Sequence, residues 1–225
     1  MDATLVFSDD FSAYGSAEVS HTSWFSTGIT TEYGNLEYYS AVQWGDIIEA
    51  GEVRAWYGDT NGPSGLGFGR YNQWLGGAPK LANIAVPHSY ISFRVTTNAP
   101  VSAWDMELHI KCWSGDDVYV EFDYGASYVE IRGVEYPVAE SSATATEWEW
   151  RVTPTAVELY GDGALLAAIE APVPDDIAWD VFYVRCDAAN VTAMSLYTLD
   201  GFGADPEGPP PMFWSCNVGT TERII

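Results

Sequence analysis

Two short runs carry the residues best able to do chemistry. Asp105-Met106-Glu107-Leu108-His109-Ile110-Lys111-Cys112-Trp113 and Val118-Tyr119-Val120-Glu121-Phe122-Asp123-Tyr124 alternate polar with apolar side chains, and Ser114-Gly115-Asp116 between them suits a three-residue turn with a bulge. Pairing Trp113 with Asp117 places Cys112 opposite Val118, Ile110 opposite Val120, Leu108 opposite Phe122 and Met106 opposite Tyr124. That face is wholly apolar, and a slip of one residue would mix the two faces. The other face then gathers Glu107, His109, Lys111, Tyr119, Glu121 and Asp123, with His109 opposite Glu121 and Glu107 opposite Asp123. Facing carboxylates repel unless a cation, a proton or a ligand hydroxyl offsets them. The six residues therefore mark a ligand groove or a cation site. The plain alternative is the solvated outer face that antiparallel sheets commonly carry.

The elements that must position this face are strands. Short runs rich in Val, Ile, Tyr, Phe and Trp recur along the chain, separated by Gly/Asp/Asn/Pro clusters, and no stretch of helical length holds an apolar stripe. Ala156–Tyr160 and Ala164–Ala168 flank Gly161-Asp162-Gly163 and read as a hairpin. Trp148 and Trp150 alternate with Glu147, Glu149 and Arg151, so both are expected in the core. The pattern predicts an all-β, two-sheet antiparallel sandwich over residues 1–203. Asp205-Pro206-Glu207-Gly208-Pro209-Pro210-Pro211 cannot be a paired strand, because proline lacks the ladder N–H. Residues 204–225 are expected to form a stiff linker and an extended tail whose apolar tip, Met212, Phe213 and Trp214, docks on its own domain or a partner chain.

Composition narrows the partners. The 225 residues include 9 Lys+Arg against 32 Asp+Glu, a net charge of -23, yet 47% are hydrophobic, enough to bury a core. A field of that sign repels nucleic-acid phosphates and anionic membrane surfaces. No segment has the roughly 20 apolar residues of a membrane-spanning helix. Met1-Asp2-Ala3-Thr4 lacks the basic-then-apolar layout of a signal peptide, pointing to retention in a cytoplasm, release by cell lysis, or a trimmed chain. Cys112, Cys186 and Cys216 are odd in number and show no CxxC spacing, which argues against a disulfide framework. The three histidines form no Ser-His-Asp or Cys-His arrangement.

The chain resembles the concanavalin A-like lectin/glucanase superfamily, which includes laminin-G-like domains. The resemblance rests on Phe7-Ser8-Asp9-Asp10-Phe11 at the start, on Glu149-Trp150-Arg151-Val152 followed by Val157-Glu158-Leu159-Tyr160-Gly161-Asp162-Gly163, and on Ser195–Phe202 as a closing strand. It implies a jelly roll whose last strand pairs with the first, with sugars or protein partners on one face or at the rim. It implies a structural calcium where those strands meet, with Asp9, Asp10 and Asp200 at matching positions; the alternative is that these acids cap turns. Arg70 and Trp74, beside the glycine-alternating Gly65–Gly69, mix the groups a sugar site uses, although a packed sheet crossing explains them equally. Laminarinase-type members carry a Glu-x-Asp-x-x-Glu strand. Here Glu121 and Asp123 supply two acids, the third position falls near Ala126 or Ser127, and Glu130 lies too far along.

These observations lead to a non-catalytic binding or structural module as the first expectation: a phage virion surface protein, capsid decoration or tail-associated, that docks on neighbouring subunits as part of an oligomer, is found in the virion or extracellularly after lysis, and binds glycans. The alternatives are a laminarinase-type glycoside hydrolase and a calcium-dependent lectin.

Overall fold

The computed structural model describes residues 2–20, 25–40, 46–55, 66–69, 86–102, 105–111, 118–122, 128–131, 134–137, 143–179, 181–186 and 188–200. The chain opens with β1 (Asp2–Asp9), β2 (Ser16–Val19), β3 (Phe25–Thr31), β4 (Gly34–Ser40), β5 (Asp46–Glu49) and β6 (Glu52–Ala55). Next come β7 (Leu66–Gly69), β8 (Ile91–Ser102), β9 (Met106–Lys111), β10 (Val118–Phe122), β11 (Tyr128–Ile131) and β12 (Val134–Pro137). Then follow β13 (Thr144–Val152), β14 (Ala156–Gly161), β15 (Ala164–Glu170), β16 (Val181–Cys186) and β17 (Val191–Asp200). One 3-10 turn, Ser12–Tyr14, is the only helical element among the described residues, and no helix there is long and apolar enough to cross a membrane.

The strands form two antiparallel sheets, the jelly-roll sandwich expected from the sequence. The first runs β15-β14-β13-β8-β17-β6-β5-β2, with β1 also on β17; the second runs β12-β11-β10-β9-β16-β7-β4-β3. β17 closes the first sheet by lying between β8 on one side and β1 on the other, with Asp2 opposite Asp200 and Asp9 opposite Met194. Gly161-Asp162-Gly163 links β14 to β15 as a hairpin. Asp162 sits at φ 48, and its carboxylate accepts from the backbone N–H groups of Thr146 and Glu147, which locks the turn to β13.

Alternation builds the core. Leu159, Trp150, Phe93, Leu196 and Phe7 form one row across five strands of the first sheet, and all five are buried. In the second sheet Ile110 pairs with Phe182, also buried. Phe93 meets Phe182 edge to face at 5.6 Å between ring centroids, joining one sheet to the other. Trp148 and Trp150 are buried as expected, and Cys186 lies in the same core. Residues 201–225, which include the expected linker and tail, lie outside the described residues.

Candidate functional site

The predicted hairpin forms in the predicted register. Lys111 pairs with Tyr119, Ile110 with Val120, His109 with Glu121 and Leu108 with Phe122. Leu108 and Ile110 are buried in the core, as are Phe182 and Val184 on the adjoining strand β16. Between these buried positions the register pairs Glu107 with Arg185, His109 with Tyr183 and Lys111 with Val181.

The register continues across the sheet. One row reads Tyr128, Glu121, His109, Tyr183, Gly67, Tyr39 over six strands. Its neighbour reads Glu130, Tyr119, Lys111, Val181, Gly69. Gly67 pairs with Tyr183 on one side and Tyr39 on the other, so Leu66–Gly69 of the glycine-alternating run is a strand. Tyr39 closes the row: it is buried, and burial holds its hydroxyl well above the ordinary tyrosine pKa.

Three acid positions lie on the adjacent strands β9, β10 and β11. Glu121 is opposite His109 on β9 and Tyr128 on β11. Glu107 and Glu130 stand two residues from those partners, in opposite directions, so each is a diagonal neighbour of Glu121. Diagonal positions on adjacent antiparallel strands are about 7–8 Å apart. The third acid expected near Ala126 or Ser127 would have followed Glu121 along its own strand; Glu130 lies instead on β11, one strand over and diagonal to Glu121. Arg185 pairs with Glu107. Sequence reasoning set Glu130 aside and missed Tyr39, Tyr128, Tyr183 and Arg185, because sheet order rather than local spacing places them. Asp123, Arg70 and Trp74, and the tail residues Met212, Phe213 and Trp214, lie outside the described residues.

The acids proposed for calcium do not converge. Asp9 and Asp200 stand seven residues apart along the β1–β17 ladder, roughly 23 Å at about 3.3 Å per residue. Asp9 is buried and filled with donors: the Phe11 N–H to Oδ1 at 2.8 Å, and the Tyr14 and Tyr38 hydroxyls to Oδ2 at 2.5 and 3.0 Å. Burial, followed by hydrogen bonding to Asp9, raises the Tyr14 pKa. Asp10 accepts the hydroxyl and backbone N–H of Ser12, which hold its carboxyl below the usual range. Asp200 accepts the Thr4 hydroxyl at 2.6 Å. These are turn-capping and ladder-end roles. Among the described residues no group of three His, Cys, Asp or Glu side chains is placed to hold a metal ion.

In the first sheet one polar cluster gathers around Glu149. Glu149 accepts from Ser92 Oγ at 2.7 Å and Arg151 Nε at 3.1 Å, with Arg94 Nη2 at 3.4 Å. The Arg94 guanidinium lies 4.7 Å from the Tyr197 ring centroid, and that of Arg151 lies 4.3 Å from the Tyr160 centroid.

No family model matches the chain, and no curated protein matches it. Solved structures do. The GlcNAcα1-4Gal-releasing endo-β-galactosidase from Clostridium perfringens shares 12% identity and a TM-score of 0.44, with 89% of this chain covered and 63% of that one. This chain therefore spans under two thirds of that enzyme's length. The catalytic domain of an endo-1,3-β-glucanase (laminarinase) from Thermotoga petrophila RKU-1 shares 11% identity and a TM-score of 0.41, covering 89% of this chain and 99% of that one. The calcium-bound exoplasmic/lumenal domain of VIP36 shares 7% identity and a TM-score of 0.39, covering 83% and 91%. Likeness at such identities concerns the fold. The expectation of a non-catalytic chain is nevertheless corrected: glycoside hydrolases stand among these matches. The comparisons lend no support to a virion subunit.

Proposed function

We propose that this chain is a carbohydrate-active jelly roll that binds a neutral glycan across the outer face of its second sheet, with Glu121 at the centre of an acid pair for hydrolysis. The observation that carries this is the register placing Glu107, Glu121 and Glu130 on three adjacent strands, amid tyrosine positions and a glycine-floored strand. Aromatic rings offer apolar faces to a sugar, and polar groups among them fix its orientation. The net charge of -23 favours neutral over anionic glycans.

Glycoside hydrolysis needs two carboxyls flanking the scissile bond. One, held protonated, donates to the leaving oxygen; the other attacks the sugar or activates water. Neighbouring carboxylates resist ionising together, so mutual repulsion itself supplies the protonated member. Diagonal spacing leaves room for carboxyl separations of about 5–10 Å, which span the retaining and inverting geometries.

The test measures binding to, and reducing-end release from, β-1,3-glucan and β-galactan. Glu121→Gln is expected to lower turnover at least ~100-fold while glycan retention in affinity electrophoresis persists. Whichever of Glu107→Gln and Glu130→Gln produces the same loss names the partner acid. Binding without turnover in the unmodified protein removes the acid pair but keeps the glycan face. Neither binding nor turnover overturns the proposal.

A further inference from the structure

A sheet ends in strands whose outer N–H and C=O groups have no ladder partner, and folded proteins blunt such edges with charge, proline, bulges or short length. Most edges of the two sheets here are blunted. β2, at one end of the first sheet, is four residues long and exposes Glu18. β12, at one end of the second, is four residues long, exposes Glu135 and finishes in Pro137, which has no N–H. β3, at the other end of that sheet, breaks register between Ser26 and Thr30, with Gly28 at φ 77. β1, on the flank of β17, begins at Asp2 and bulges between Leu5 and Phe7.

β15 is different. It ends the first sheet, and among the described residues β14 is its one strand neighbour. The run from Ala164 reaches Glu170 without a charge or a proline. Its irregularity, at Leu166 between the partners of Leu159 and Tyr160, lies next to the turn and leaves residues 167–170 in plain register. Leu165 is 54% exposed and Ala168 is exposed, whereas Ala167 packs on the core and Ile169 is buried in it. A strand laid along this edge would meet a core-side row at Ala167 and Ile169. On its other side it would meet Leu165, Ala168 and the exposed Glu170.

Charge decides what fills the edge. A second copy brings the same net charge of -23 and is repelled. A cationic segment is drawn in by that field, and its basic side chains reach Glu170 on the solvent side. Its alternate residues must be apolar, because they extend the row of Ala167 and Ile169.

We infer that the outer edge of β15 is a strand-addition site for an extended segment of a cationic partner protein, apolar toward the core and basic toward solvent. Main-chain hydrogen bonds along Ala164–Glu170 supply the affinity, and the alternation supplies the selectivity. The site belongs to the first sheet and takes a protein segment, so it stands or falls apart from the glycan reading of the second sheet.

The probe is a short capped peptide of alternating lysine and valine, titrated into the full isotope-labelled chain. Two controls accompany it: the same peptide N-methylated throughout, which keeps the charge and loses the pairing donors, and a glutamate–valine counterpart. Amide shifts and hydrogen exchange are read over Ala164–Glu170. In the free chain the β15 amides that point away from β14 are expected to exchange fast. The lysine–valine peptide should slow them and shift them saturably, and neither control should. Ala168→Lys, at an exposed position, should weaken that binding at least ~5-fold through like charge. Slow exchange of all β15 amides in the free chain overturns the inference, because the edge is then already filled by another part of the chain or by a second copy. Equal shifts with the methylated peptide overturn it as well, leaving charge attraction without strand pairing. Shifts confined to β2, β3 or β12, no shifts at all, or unchanged binding in Ala168→Lys also overturn it.

Discussion

A carboxylate with 6% exposure ordinarily sits beside a cation, yet Asp9 takes three neutral donors, from Phe11, Tyr14 and Tyr38. Tyr38 belongs to the second sheet and Asp9 to the first, so this one acid ties the sheets together. It also holds Phe11, whose φ of 60 is unusual for a bulky residue. In Asp9→Asn one oxygen becomes an amide donor and meets either the Phe11 N–H or the tyrosine hydroxyls. Stability is expected to fall by about 2–4 kcal/mol in urea unfolding; a loss below about 1 kcal/mol would contradict the role given to the network. Asp162 makes a pH prediction. Backbone donors from Glu147 and then Thr146 lower its pKa below the ordinary 3.8, so the folded state favours the charged form. Its contribution is complete above about pH 4 and fades as pH falls through the lowered folded value. Asn tolerates the same backbone and still accepts a hydrogen bond. Asp162→Asn should therefore flatten the dependence of stability on pH below 4 and leave the turn in place; an unchanged slope would count against the assignment.

Strands and turns set which of these effects local sequence announces. The β9–β10 hairpin was legible because alternation on both sides admits one register with a clean apolar face, as Ile110–Val120 and Leu108–Phe122 show. The β14–β15 hairpin was legible from its Gly-Asp-Gly turn, and the pairing of β1 with β17 from the resemblance. Tyr183 was not legible as a site residue. It sits in the unbroken run Val181-Phe182-Tyr183-Val184, where polarity does not distinguish the faces, and only pairing with His109 places it. Gly161 is the element whose tightness is easiest to test. A Cβ there would lie 2.9 Å from both the Ala145 Cβ and Leu166 Cδ1, so β13 and β15 close over it. Leu166 can shift, but the Ala145 Cβ is fixed to its backbone. Gly161→Val is expected to cost about 1–3 kcal/mol by overpacking, read as a lower urea midpoint with unchanged slope.

At the scale of the molecule, charge and chain path dominate. A net charge of -23 makes the folded state repel itself. The melting temperature at pH 7 should therefore rise between low and about 0.5 M NaCl as the repulsion is screened; a fall would show that attractive pairs dominate instead. The pairing of β1 with β17 has a mechanical side. Asp2 and Asp200 lie opposite each other at the same end of that ladder. Tension between those two points would load its hydrogen bonds singly, so the strand should peel from the sheet at low force. Anchored instead at Asp9 and Asp200, the same ladder would be loaded along its length, with many bonds sharing the strain. The direction of pull, rather than the number of contacts, would decide how firmly this sandwich holds.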